Sequence, residues 1–191
     1  YSGKVKIYFK SKCTEDIFLD FEATKVNSIT INGVKIVDIS KIFNGFFIDI
    51  HKDTLTATSN NLVEIQFENS YRNDGSGLHS YIDTDGKQYL YSQGEPYHIH
   101  KMFPCFDQPD IKGSLSLEAT SPDDWVVISN EPTKNVTSSL GEKSWAFEKT
   151  PKLSTYLFAV IAGPYEEVKG ENTYKGIPMS MYCRQSKMED L

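Results

Sequence analysis

From its first residues the chain alternates with a period of two. Val5, Ile7 and Phe9 are interleaved with Lys4, Lys6, Tyr8 and Lys10, and Ile17, Leu19 and Phe21 with Asp16, Phe18, Asp20 and Glu22. Neighbouring residues of a strand face opposite ways, so this is the pattern of a sheet with one buried and one wet face. A helix repeats every 3.6 residues and would scatter those apolar positions around its circumference. Residues 26–31 and 34–39 flank Asn32-Gly33, the strongest short hairpin signal, because both turn positions must accept positive φ. Strands follow at 46–50 and 62–68, and a second hairpin closes on Asp85-Gly86, between 79–83 and 87–91.

After Pro109 the same texture resumes with Leu115, Leu117 and Ala119, then at 125–129, 144–147, 156–162 and 179–182. Short strands at this spacing, separated by turn residues, predict an all-β fold, an antiparallel β-sandwich. Residues 156–162 are apolar on both faces and are expected to form a central strand. Helix is confined to two places. One is a short helical turn over 96–103, with Pro96 at the first position, where its missing N–H costs nothing. The other is the chain's end, where Ser186-Lys187-Met188-Glu189 has the spacing of a capping box. No repeat or low-complexity linker intervenes. Residues 1–185 therefore read as one continuous β domain, and 186–191 as the start of a helix leading into a further domain not included in this chain.

Composition narrows the partners. The net charge is −6, and only Arg72 and Arg184 are arginines, with no basic stripe, which argues against nucleic acid. No apolar run approaches the roughly 20 residues of a membrane-spanning helix. Cys13, Cys105 and Cys183 are odd in number, widely spaced and lack a C-x-x-C, so buried free thiols are expected rather than a disulfide framework or a zinc ribbon. No signal-peptide pattern is present, although the chain opens mid-pattern at Tyr1; the compartment is unassigned, with the cytoplasm favoured. Asn135-Val136-Thr137 is a glycosylation sequon, a triplet common by chance.

The chemistry concentrates in residues 89–109. Tyr89, Leu90 and Tyr91 are β-formers, and the strand breaks at Gly94 and Pro96, leaving Gln93 and Glu95 at its mouth on one side. A carboxylate beside an amide oxygen, both aimed off a strand end, makes a receptor for a cationic amine. The plainer alternative is that Glu95 caps the turn before Pro96 and stays solvated. His98 and His100 would share a face on a strand and could chelate zinc there, but on a helix they diverge by about 200°. The Pro96 turn favours the helical form, so no metal ligands are expected in this chain. Asp74-Gly75-Ser76-Gly77 lacks the Lys-Ser/Thr of a phosphate loop, and there is no Gly-x-Ser-x-Gly elbow. None of His51, His79, His98 and His100 precedes a glutamate, so there is no His-Glu-x-x-His either.

The run Tyr91-Ser92-Gln93-Gly94-Glu95-Pro96, followed by Phe103-Pro104-Cys105-Phe106-Asp107-Gln108-Pro109, resembles the signature of the aminopeptidase N family of zinc metallopeptidases. That family's first domain carries Tyr-(Thr/Ser)-Gln-x-Glu and then Phe-Pro-Cys-Phe-Asp-Glu-Pro. Gly77-Leu78-His79 with Asp85-Gly86, the strand ending at Ser129-Asn130, and Phe147 to Pro151 with Ser154-Thr155-Tyr156-Leu157-Phe158-Ala159 and Gly163 extend the likeness. Gly176-Ile177-Pro178 through Arg184 continues it.

The resemblance implies a saddle-like N-terminal β domain that packs on a thermolysin-like catalytic domain of the same chain, where the zinc ligands lie. It implies that Glu95 binds the α-ammonium of a peptide substrate and that Gln93 lines the pocket for the first side chain. The whole protein would then be a zinc aminopeptidase removing single N-terminal residues, and this chain alone would be inactive. Three departures stand out. His98-Ile99-His100 replaces the usual Asp-Ala-Arg, whose Asp/Arg pairing braces the loop, Gln108 replaces Glu, and Gly94 replaces a bulkier residue, implying a looser or wider pocket edge. The competing reading is a free-standing β-sandwich module for carbohydrate or protein, using 11 Tyr and 11 Phe as a binding face.

Overall fold

The period of two translates into strands. The computed structural model describes residues 1–169, 174–177 and 179–190, and it is all-β, with antiparallel ladders and short 3-10 turns between them. Contacts divide the chain into two compact units.

The first unit comprises Tyr1–His79, Ser92–Gly113 and Lys152–Phe158. It holds β1 (Ser2–Phe9), β2 (Ile17–Asp20), β3 (Lys25–Ile31), β4 (Val34–Lys35), β5 (Phe47–Ile50) and β6 (Asn61–Glu68). These form one sheet in the order β1-β6-β3-β4 and a second of β2 and β5. Leu19, Phe21, Ile48 and Ile50 meet Ile29, Ile31, Val63, Ile65 and Phe67 in a single buried core, the sandwich packing expected from the alternation. Phe21 and Phe67 pack edge to face, with ring centroids 4.8 Å apart. The Asn32-Gly33 hairpin forms as its sequence demands, with φ of 49° and 83°, and joins Ile31 to Val34. Asn32 also uses its amide, donating to the Thr54 carbonyl and to the buried Asn61 at 2.9 Å each.

The second unit comprises Ser80–Tyr91, Ser114–Pro151 and the chain from Ala159 onward. It holds residues 80–82 of β7 (Gly77–Ile82) and 88–91 of β8 (Gln88–Gln93), with β9 (Glu118–Pro122), β10 (Val126–Ser129), β11 (Thr133–Ser139), β12 (Glu142–Phe147), β13 (Val160–Gly163), β14 (Tyr165–Lys169) and β15 (Ser180–Arg184). They are ordered β10-β13-β8-β7, β11-β12-β9 and β14-β15. The Ser129-Asn130 pair that ends β10 holds the approach to β13, because the Ser129 hydroxyl donates to the Ala159 carbonyl and Asn130 Oδ1 accepts the Ala159 N–H, each at 2.8 Å.

Three expectations are corrected. The central strand expected over 156–162 starts only at Val160, because Thr155–Leu157 is a 3-10 helix. The hydroxyls of Ser154 and Thr155 bond Pro109 O and Asp107 Oδ1 at 2.6 and 2.7 Å, giving the backbone an alternative to the ladder. Strand β13 is interior to its sheet, but Ile161 is 37% exposed, so the strand is not covered on both faces. The expected capping box at the end does not form among the described residues. A 3-10 helix spans Gln185–Asp190, and the Ser186 hydroxyl donates to Asp83 Oδ2 at 2.5 Å instead of to its own helix; residue 191 lies outside the described residues.

Strand β11 had no sequence signal, since every one of its residues is exposed and no alternation marks it. Its hairpin with β12 turns on Leu140-Gly141, with φ of 53° and 81°.

Phe21 is 0% exposed, and Phe21→Ala is expected to lower the unfolding free energy by about 3–5 kcal/mol, read from urea denaturation followed by circular dichroism.

Candidate functional site

Strand β8 ends at Gln93, two residues short of Glu95. Glu95 sits instead in a turn closed by the His98 N–H donating to the Gly94 carbonyl at 2.8 Å, with a cis bond between Glu95 and Pro96. Pro96 therefore precedes the short helical turn, which covers Ile99–Lys101, rather than opening it. The two predicted residues still come together. Gln93 Nε2 donates to the Glu95 backbone carbonyl at 3.2 Å, and both side chains are exposed. Among the described residues no cation pairs with the Glu95 carboxylate.

Gly94 does not loosen the edge of this site. A Cβ there would lie 2.7 Å from the Tyr156 carbonyl oxygen and 3.0 Å from Tyr156 Cα. The glycine is what lets residues 154–158 pack directly against the loop, so the looser pocket edge expected from its small size is corrected to a close-packed one.

Beneath the loop lie two buried carboxylates. Asp20, 6% exposed, accepts the Tyr97 hydroxyl at Oδ1 and the Asp107 N–H at Oδ2, 3.1 Å. Its backbone pairs with Cys105 in both directions, at 2.9 and 3.1 Å. Asp107, 2% exposed, accepts the His100 N–H and Nδ1 at Oδ2, 3.1 and 2.8 Å, and the Thr155 hydroxyl at Oδ1, 2.7 Å. Burial on its own would raise the Asp107 pKa, but the bonds from His100 and Thr155 outweigh it and hold the carboxyl below its ordinary range. An ionised carboxylate only accepts, so His100 Nδ1 carries the proton. Burial, reinforced by the bond to Asp20, pushes the Tyr97 hydroxyl up. Burial, with Asp107 and Asp20 nearby, likewise pushes the Cys105 thiol well up.

This arrangement resolves the His98-Ile99-His100 departure. His100 supplies the donors that tie the loop to Asp107, while His98 Nδ1 is buried without a hydrogen-bond partner among the described residues. No group of three or more His, Cys, Asp or Glu among the described residues is placed to hold a metal ion.

Residues 1–157 match the family model described as the Peptidase M1 N-terminal domain. The chain belongs to that family. Aminopeptidase N of Streptomyces lividans is 33% identical over 177 residues, covering 91% of this chain and 20% of the relative. A probable aminopeptidase 2 of Sulfurisphaera tokodaii is 30% identical over 179 residues, covering 88% of this chain and 20% of the relative. Aminopeptidase N of Bos taurus is 31% identical over 125 residues, covering 62% and 13%. The chain thus spans a fifth or less of the length of these relatives.

In this M1 N-terminal domain the motif residues Gln93, Glu95, Cys105 and Asp107 all fall in the first unit. Sequence reasoning missed Asp20, Tyr97 and Thr155. The alternation placed Asp20 on the wet face of its strand, yet it is 6% exposed, and Thr155 lay just before the strand expected over 156–162.

Gly94→Ala is expected to destabilise the chain by about 1–3 kcal/mol in urea unfolding, since the Tyr156 backbone must give way. A carboxyl whose pKa is depressed by folding stabilises above its unfolded value of about 4, and that contribution is lost as pH falls through the lower folded value. Asp107→Asn is therefore expected to be less stable than the parent at neutral pH, with the gap narrowing below about pH 4, as read from unfolding curves at stepped pH.

Proposed function

We propose that this chain is the substrate-docking N-terminal domain of an aminopeptidase that removes single residues from peptide N termini. Glu95 receives the substrate's α-ammonium, and Gln93 lines the place of the first side chain. The observation that carries this reading is the exposed Glu95 carboxylate, with no cation partner among the described residues, on a loop anchored from beneath by buried hydrogen bonds. An ammonium taken out of water needs an anionic partner, and charge-assisted bonds are roughly twice as strong as neutral ones. A carboxylate at a fixed distance from the cleaving group would measure off one residue. Membership of the M1 N-terminal family, with relatives named aminopeptidases, supports the same reading.

The resemblance to aminopeptidase N implies zinc. No group of His, Cys, Asp or Glu among the described residues is placed to hold it, and the resemblance implies that a catalytic domain of the longer protein carries the ligands. The peptide and that domain are the partners, and the chain alone is inactive.

A second reading, a β-sandwich module for carbohydrate or protein, draws on one observation. Within the second unit, Tyr81, Tyr89, Tyr91, Tyr165 and Tyr182 line an open cleft of about 640 Å³. It would leave Glu95 without a role. In the full-length protein, Glu95→Ala is expected to lower kcat/KM for aminoacyl p-nitroanilides by an amount equivalent to about 2–5 kcal/mol. Unchanged kinetics would reject the docking role and leave the aromatic cleft as the better candidate.

A further inference from the structure

We infer that Thr155, Asp107 and His100 are positioning residues for Glu95, completing a closed ring of contacts on which recognition by that carboxylate depends. The inference rests on the docking role proposed for Glu95. The ring begins at Gly94, whose carbonyl accepts the His98 N–H at 2.8 Å. Two residues on, His100 gives both its backbone N–H and Nδ1 to Asp107 Oδ2. The other Asp107 oxygen takes the Thr155 hydroxyl at 2.7 Å. The next residue, Tyr156, lies so close to Gly94 that no Cβ fits between them, which returns the circuit to the residue before Glu95. A second tether runs from Tyr97 to Asp20, and Asp20 in turn accepts the Asp107 N–H. Both flanks of Glu95 are fixed, while its own side chain is exposed.

The ring has a point of failure far along the chain from the site. Without the Thr155 hydroxyl, Asp107 Oδ1 has no side-chain donor among the described residues, and a buried charge lacking a partner rotates, admits water or moves the segments that face it. Those segments are 98–100 and 155–156, the two that hold the Glu95 turn. A displacement of about 1 Å at a recognising group is enough to cost up to about a hundredfold. Thr155 touches neither Gln93 nor Glu95 by any hydrogen bond recorded among the described residues, so its effect passes through Asp107.

The test uses the full-length protein and whichever aminoacyl p-nitroanilide it cleaves fastest. Thr155→Val and His100→Ala are expected to raise KM about tenfold with kcat changed by less than about twofold. Thr155→Ser keeps the hydroxyl and should retain the parent KM. Thr155→Val added to Glu95→Ala should change nothing further, because the ring then has no carboxylate left to position. If Glu95→Ala itself leaves the kinetics unchanged, the docking reading fails and this inference goes with it. If Glu95→Ala weakens recognition but Thr155→Val does not, or adds its full factor on top, docking stands and the positioning role is overturned. Loss of cooperative thermal unfolding in both Thr155→Val and His100→Ala marks a purely structural brace and overturns it too.

Discussion

The Asp107 carboxylate is where the local structure is decided. A buried carboxylate costs several kcal/mol unless its oxygens are satisfied, and here three donors from two separated segments converge on it. Each donor fixes the piece of chain that supplies it. His100 fixes the turn after Pro96, and Thr155 belongs to the 3-10 helix that keeps residues 156–159 out of the strand expected over 156–162. Asp20 completes the set by accepting the Asp107 N–H and tying the whole to the end of β2. The loop is irregular because satisfying a buried charge wins over continuing a ladder.

What that charge is anchored to is an ordinary apolar core. Leu19 and Phe21 flank Asp20, both 0% exposed, so the carboxylate leaves a strand whose neighbours are locked on the opposite face. Phe103 and Phe106 pack against the same cluster from the far side of the loop, and Phe103 meets Phe158 edge to face at 5.2 Å. Apolar packing sets where the segments lie, and the polar contacts set their conformation. Neither alone would hold Glu95 at a defined place on an exposed turn.

Much of this was legible in the sequence, and the failures share a cause. Strands β1, β3 and β6 follow from alternation, and the Asn32-Gly33 hairpin from the need for positive φ at both positions. Gln93 and Glu95 were singled out by their place at a strand's mouth together with the resemblance to aminopeptidase N, and their docking role is a proposal. Residues 156–162 were misread because hydroxyl bonds to Asp107 and Pro109 are invisible to periodicity. The terminal capping box failed for the same reason, since Ser186 answers a distant carboxylate. Gly94 was misjudged because a backbone contact with Tyr156 leaves no mark on either residue type. Local patterns carried the sheets, while contacts between residues remote in sequence carried the site.

Cys105 draws one more consequence from the two carboxylates. The thiolate, not the thiol, attacks disulfides and is captured by oxidants, and this sulfur is kept from ionising by burial and by the negative charges beside it. Cys105 lies beyond the Glu95 turn and its short 3-10 helix, buried and paired through its backbone with Asp20. The carboxylates that order this stretch of chain therefore also keep its sulfur in the thiol form.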